Sequence, residues 1–298
     1  MIYLHSFGFL SQECEDVYLS KPTPNCYPTK YPFNVFRYRH LPRFEFEPIT
    51  IFYGTNGSGK TTLLNVIAQK LGLHHRTAYN RTEFFDDYVN MCTMDLSYKF
   101  GDQALSKSKI LTSDDVFDHL IDVRYINAGV DRQREELFEE YAAIRRDQTS
   151  PLGCQFRMGS LDEYDMLKKY ADASKGSCSK YVRARVTRSI DGRSNGEEAL
   201  RFFTSQIEDN AVYLLDEPEN SLSACNQQKL LKFIEESARF FGCQFIISSH
   251  SPFFLAAQGA KIYDLDITPP RARLWTELPN VRAYFELFES RRGEFDGE

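Results

Sequence analysis

The sequence predicts an α/β fold built on a mostly parallel sheet, and three observations predict it. Ile49-Thr50-Ile51-Phe52-Tyr53 is a short, uninterrupted β-branched and aromatic run, followed by a glycine-rich loop and a helical pattern. Ala211-Val212-Tyr213-Leu214-Leu215 and Cys243-Gln244-Phe245-Ile246-Ile247 are two further apolar runs, joined by a second helical pattern. Runs of this length bounded by turn formers read as strands buried on both faces, and a helix between two of them is the crossover that a parallel sheet requires.

The elements follow in order. The N-terminal stretch alternates short apolar runs with turn formers such as Lys21-Pro22-Thr23-Pro24-Asn25 and Pro28-Thr29-Lys30, which suits β-strands joined by loops. After the first glycine-rich loop, Leu63, Leu64, Val66, Ile67 and Leu71 recur at helical spacing and Gly72 supplies a stop. Residues 81–205 read as a helical insertion. Within it Asp131–Arg146 carries Leu137, Tyr141 and Ile144 on one face, and Ser160–Ala173 carries Leu161, Tyr164, Leu167 and Tyr170, with Ser160 and Glu163 as a capping box. The later helix has Ser223 as N-cap, Leu230, Leu231 and Ile234 on its apolar face, and Gly242 after it. The expectation is therefore one domain over 1–298, with a core of 1–80 and 206–298 and the insertion between. The last dozen residues are polar enough to fray.

Composition narrows the classes. A hydrophobic content of 42% over 298 residues is enough for a sizeable core. The balance of 36 basic against 42 acidic residues, a net charge of −6, argues against indiscriminate coating of nucleic acid or anionic lipid. Seven cysteines without a C-x-x-C suggest neither a disulfide framework nor a thiolate zinc site. No run approaches the length of a membrane span and the N-terminus lacks signal-peptide features, so the expectation is a soluble, cytoplasmic protein.

Four segments carry chemistry. Gly54-Thr55-Asn56-Gly57-Ser58-Gly59-Lys60-Thr61 fits G-x-x-x-x-G-K-[ST] and lies between a strand and a helix, the context that makes the pattern a phosphate loop. Its glycines let backbone N–H groups turn inward around phosphate oxygens, in conformations a Cβ opposes. Lys60 is placed to bridge β- and γ-phosphates and the Thr61 hydroxyl to ligate Mg²⁺, with Thr62 beside it. In the second segment, Asp216 and Glu217 end a buried strand, where Asp216 can hold the metal shell and Glu217 can orient or deprotonate an attacking water. Third, His250 follows the Ile246-Ile247-Ser248-Ser249 strand, at the sheet edge where ligands of open α/β sheets gather, and is a candidate sensor of the γ-phosphate. Fourth, Ser194-Asn195-Gly196-Glu197 opens a helix. Ser194 and Glu197 form a plain capping box, yet Ser194, Gly196 and the helix N-terminus can also present donors to a phosphate from outside.

In this order the four segments resemble the ATP-binding-cassette type of ATPase, a P-loop NTPase fold. Tyr31-Pro32-Phe33, Phe44-Glu45-Phe46, the phosphate loop, Asp216-Glu217-Pro218 and Gln244–Pro252 particularly resemble bacterial stand-alone ATPases related to the SMC and OLD ATPases. The resemblance implies ATP and Mg²⁺ as ligands and a homodimer, or a higher oligomer, that sandwiches two ATP molecules. Each site would join one phosphate loop to the partner's signature serine, Ser194 with Gly196, while Asn220-Ser221-Leu222-Ser223 crosses the interface. The signature here is Ser-Asn-Gly-Glu rather than Ser-Gly-Gly-Gln, and the Q-loop position is open between Gln103 and Asp114.

The chain between Lys60 and Asp216 is too short for SMC coiled-coil arms, and the stretch after His250 too short for the nuclease domain of OLD proteins. The expected function is thus an ATP-hydrolysing switch acting on a separate effector, such as a nuclease, in anti-phage defence or genome maintenance. The alternatives are the cassette subunit of a membrane transporter and a module that holds ATP without turnover. Lys180, Arg183, Arg185, Arg188 and Arg193 with Tyr181 make a modest case for nucleic-acid contact.

Overall fold

The computed structural model describes residues 1–20, 29–149, 168–169, 171–173, 177–186 and 194–296. In chain order the elements are β1 (Leu4–Gly8), α1 (Gln12–Leu19), β2 (Phe44–Glu45), β3 (Ile49–Tyr53), α2 (Lys60–Leu71), α3 (Phe85–Met91), β4 (Thr93–Leu96), α4 (Asp102–Lys107), β5 (Lys109–Thr112) and α5 (Ser113–Thr149). Then come α6 (Cys178–Arg183), α7 (Asn195–Gln206), β6 (Val212–Asp216), α8 (Ala224–Phe240), β7 (Gln244–Ser248), α9 (Pro252–Leu255), β8 (Lys261–Asp264), β9 (Arg271–Ala272), α10 (Pro279–Ser290) and α11 (Arg292–Asp296).

Six strands form the main sheet in the order β5-β6-β7-β3-β8-β9, parallel except for the terminal β8–β9 pair. The three runs expected as buried strands are β3, β6 and β7, every residue of which is buried. Their register brings Thr112, Asp216, Ser248 and Phe52 level across one edge. That common carboxyl edge is where an open parallel sheet offers a ligand site.

A second, three-stranded antiparallel sheet, β2-β1-β4, packs against the first. Gln244 explains how a buried polar residue is tolerated inside β7. Its Oε1 accepts from the N–H groups of Tyr3 and Leu4, both at 2.9 Å, and its Nε2 donates to the Leu4 carbonyl at 2.9 Å. The amide thus staples the two sheets, and every polar atom it buries has a partner. Between them Phe44 meets Phe52 edge-on at 5.1 Å and Tyr263 at 4.9 Å. Truncating a fully buried ring such as Phe52 to Ala costs about 3–5 kcal/mol.

Two sequence expectations are corrected here. The N-terminal stretch is not all strand and loop, because residues 12–19 form α1. Ser11 accepts from the Cys14 N–H as its N-cap and Glu13 and Glu15 occupy the first turn, a helix start that the turn-rich surroundings obscure. The insertion is also narrower than 81–205: the chain divides into one compact unit of 1–117 with 194–298 and a second of 118–193. Residues 85–112 stay with the first unit because β4 pairs with β1 and β5 with β6.

In the second unit the helix expected over 131–146 is part of the longer α5. Ile144 is buried with Ala173, Tyr181 and Val182, and Leu137 and Tyr141 pack on them. Of Ser160–Ala173, only residues 168–169 and 171–173 are described and they are helical; Ser160 and Glu163 lie outside the described residues. Tyr181 is buried, donates to Glu140 at 3.0 Å, and is covered by the Arg185 guanidinium 4.0 Å from its ring centroid. Arg185 also pairs with Asp172 at 2.6 Å. The ring is therefore core rather than a stacking platform for bases, which removes the aromatic part of the nucleic-acid reading. Lys180 and Arg183 are exposed, and Arg188 and Arg193 lie outside the described residues.

Candidate active site

The loop from β3 into α2 has the conformation its glycines permit. Gly57 and Gly59 have φ of 82° and 95°, and a Cβ on Gly54 would lie 2.4 Å from Ser58 Oγ. Lys60 is buried at the first position of α2 and its ammonium lies back in the loop, donating to the carbonyls of Gly54 at 2.9 Å and Thr55 at 3.2 Å. It also reaches Glu217 Oε1 at 3.2 Å. Asn56 and Gly57 are exposed at the tip, while Ser58 is buried with its hydroxyl lacking a hydrogen-bond partner. Thr62 accepts from the Tyr31 hydroxyl at 3.0 Å. A buried orphan hydroxyl, inward-turned glycines and a caged ammonium together fit an anionic group carried in the loop.

Across the sheet edge stand the acids. Asp216 is buried, receives hydrogen bonds from Ser248 Oγ and Thr61, and has its pKa raised, chiefly by burial. Glu217 is half-buried, and burial pushes it up. Hydrogen bonds from Asn220 and Lys60, with the Lys60 charge, outweigh that and hold it below the usual range. Its backbone has φ 46° and ψ 54°, a left-handed conformation that costs a non-glycine residue about 1–3 kcal/mol. The Glu217 N–H donates to the Ser248 carbonyl at 3.0 Å, which holds that turn against the neighbouring strand. Asp216 and Thr61 are hard oxygen donors. Mg²⁺ takes one or two such protein ligands and fills its remaining positions with phosphate and water, so the donor set fits that ion.

His250 lies just beyond β7, its side chain 43% exposed. Its N–H donates to Glu219 Oε1 at 2.8 Å and its carbonyl accepts from Asn280 Nδ2 at 2.6 Å. Ser194 caps α7, and the full capping box is present: Glu197 N–H to Ser194 Oγ at 3.4 Å and Ser194 N–H to Glu197 Oε2 at 3.3 Å. Gly196 packs closely, since a Cβ there would lie 3.2 Å from Asn226 Nδ2. Of the two Q-loop candidates, Asp114 follows β5, whose last residue Thr112 pairs with Asp216. Gln103 sits on α4, ahead of the opposite end of that strand. The topology thus brings Asp114 toward the acids. A groove of about 860 Å³ also opens beside Asn220 and His250, but Phe253, Trp275 and Phe285 wall it, which is not phosphate chemistry.

The structure brings together Lys60, Thr61, Asp216 and Glu217, and His250 follows β7 at the same sheet edge. The fold is that of a P-loop NTPase. Residues 181–256 match the family described as "AAA domain, putative AbiEii toxin, Type IV TA system". No curated protein matches the chain. Among solved structures it is similar to an inward-facing putative metal-chelate type ABC transporter, at 15% identity over 82% of this chain and 81% of that one, TM-score 0.35. It is also similar to the ATP-binding cassette MJ0796 bound to ADP and Pi, at 13% identity over 77% and 88%, TM-score 0.34. A third is the Smc head domain of Pyrococcus furiosus bound to the C-terminal domain of ScpA, at 14% identity over 84% and 95%, TM-score 0.39. The assignment of the P-loop fold rests on the parallel sheet and the site, not on likenesses of that degree.

Sequence reasoning missed four contributors. Asp266 accepts from the Thr55 N–H at 2.9 Å and from its hydroxyl at 2.9 Å, pinning the start of the phosphate loop from the turn after β8. Ser248 holds Asp216, while Glu219 and Asn280 hold the His250 backbone. An acid next to a motif is a weak sequence signal, and Asp266 and Asn280 are not near theirs in the chain.

Proposed function

We propose that this protein binds ATP with Mg²⁺, hydrolyses it, and closes as a homodimer whose state controls a separate effector. The observation that carries the proposal is the Lys60–Glu217 contact at 3.2 Å inside the phosphate loop. In this contact the ammonium and the carboxylate satisfy each other. When a triphosphate enters, Lys60 moves its charge to the β- and γ-phosphates and Glu217 is released toward the attacking water as a general base. A base already held ionised needs no further proton loss to act. Thr61 and Asp216 would hold Mg²⁺, which supplies Lewis-acid neutralisation of phosphate charge. Ser194 and Gly196, exposed or half-exposed at the start of α7, would meet the γ-phosphate of a partner subunit.

No helix among the described residues is long and apolar enough to cross a membrane. The family description that covers residues 181–256 speaks of a putative toxin in a type IV toxin–antitoxin system, which supports a defence role over a transporter subunit.

Two variants test the core of this reading. Lys60→Ala should abolish ATP binding in calorimetry. Glu217→Gln should keep ATP binding and lose turnover by about a hundredfold or more. Unchanged affinity in the first, or unchanged turnover in the second, would refute the corresponding role.

A further inference from the structure

Glu219 is a buried carboxylate that no motif accounts for. It sits in the short 3-10 turn Pro218–Ser221, two residues after Glu217, with its side chain 6% exposed. One of its oxygens, Oε1, accepts from Ser249 Oγ at 2.8 Å, from the His250 N–H at 2.8 Å and from the Ser251 N–H at 3.2 Å. The same oxygen lies 3.3 Å from His250 Nδ1. That approach is close but not aligned as a hydrogen bond, because Nδ1 and Glu219 Oε2 are both buried polar atoms without a hydrogen-bond partner. An orphaned ring nitrogen 3.3 Å from a carboxylate oxygen is an unfinished contact, and buried polar groups left unpaired are costly. In nucleotide-free enzymes such contacts are often long and tighten on substrate binding.

We infer that Glu219 is the positioning residue for His250: it fixes the histidine backbone and, through the approach of its carboxylate to Nδ1, holds the ring with a proton on Nδ1. Nε2 is then the nitrogen that meets nucleotide or water. Asn280, which clamps the His250 carbonyl, restrains the other side of the same peptide unit. The side chain that positions the ring thus follows Glu217 by two residues, so a shift of the Glu217 turn on nucleotide binding carries Glu219 with it. The inference rests on the reading of His250 as a residue of the ATP site.

The test uses Glu219→Gln, which keeps size and leaves Oε1 to accept from the three donors, but replaces the free oxygen by an NH₂ group. The loss of the carboxylate charge removes what favours a proton on the neighbouring Nδ1, so the ring proton moves toward Nε2. In protein labelled with ¹⁵N-histidine and recorded at a pH where the ring is neutral, with the His250 signals assigned by their loss in His250→Ala, the wild type should carry the proton on Nδ1 and Glu219→Gln should shift it toward Nε2. In kinetics, Glu219→Gln should lower kcat about tenfold with KM for ATP within about twofold, and should lower it no further in a His250→Ala background. A wild-type ring protonated on Nε2, or additive losses in the double variant, would overturn the positioning role. A His250→Ala variant that hydrolyses ATP at the wild-type rate would instead sink the histidine's part in hydrolysis, and the inference in its kinetic form with it; the ring spectrum reads the Glu219 contact independently of turnover.

Discussion

His75 lies face to face with Tyr79 at 3.9 Å, and its Nε2 is buried without a hydrogen-bond partner. Burial, helped by the positive charges of His74 and Arg81 and opposed by Asp115, lowers its pKa from 6.5 to about 4. The unfolded chain therefore takes up a proton between pH 6.5 and 4 that the folded chain refuses, so the stability contributed by neutral His75 is complete above 6.5 and falls with pH through that window. His75→Phe keeps the stacking surface and removes the titration. Urea unfolding should show the wild type losing more stability than His75→Phe between pH 7 and 5, and equal losses would rule the histidine out as a source of acid sensitivity. The same scale separates Lys60 from the surface lysines. It is buried with its charge distributed over two carbonyls and one carboxylate, an arrangement that only an incoming anion can displace without cost.

At the scale of elements, the start of α7 is where two roles for one residue diverge. Ser194 caps the helix in full, and loss of the cap alone costs about 1 kcal/mol. Ser194→Arg should show that modest loss in thermal unfolding, bind ATP nearly as the wild type does, and fail to hydrolyse it, because a bulky cation would stand where the partner's γ-phosphate docks. Wild-type hydrolysis by this variant would leave Ser194 a cap and nothing more. This element was legible beforehand because a capping box is a local pattern, as was the phosphate loop, whose glycines, Lys60 and Thr61 are contiguous. The strands β3, β6 and β7 were legible because burial on both faces leaves an unbroken apolar run, although β6 and β7 each start and end one residue later than the runs suggested. The short β4 and β5 were not, since Thr93–Leu96 and Lys109–Thr112 become strands only by pairing with β1 and β6. Asp266 was invisible for a related reason: its bond to Thr55 joins residues 211 apart, and only the β3–β8 pairing brings them together.

For the whole molecule, the question is whether one chain contains a complete site. Within the described residues Lys60, Glu217 and His250 converge, while Ser194 spends its hydroxyl on its own helix. A composite site predicts that closure needs two chains and ATP but not hydrolysis. Glu217→Gln with ATP and Mg²⁺ should therefore sediment as a dimer or a multiple of it, and a monomer at micromolar concentration would count against the sandwich. Mixing supplies the sharper measurement. Lys60→Ala retains Ser194, and Ser194→Arg retains Lys60, so each is inactive by itself. A mixed dimer joins the intact phosphate loop of the second chain to the intact Ser194 of the first, giving one complete site, while the opposite site carries both lesions. If each subunit instead worked alone, no chain in the mixture would hold both residues and none would turn over. Hydrolysis recovered on mixing, rising with the fraction of mixed dimer, is the expected result; a mixture as inactive as its components, in which native mass spectrometry shows mixed dimers, would contradict the composite site.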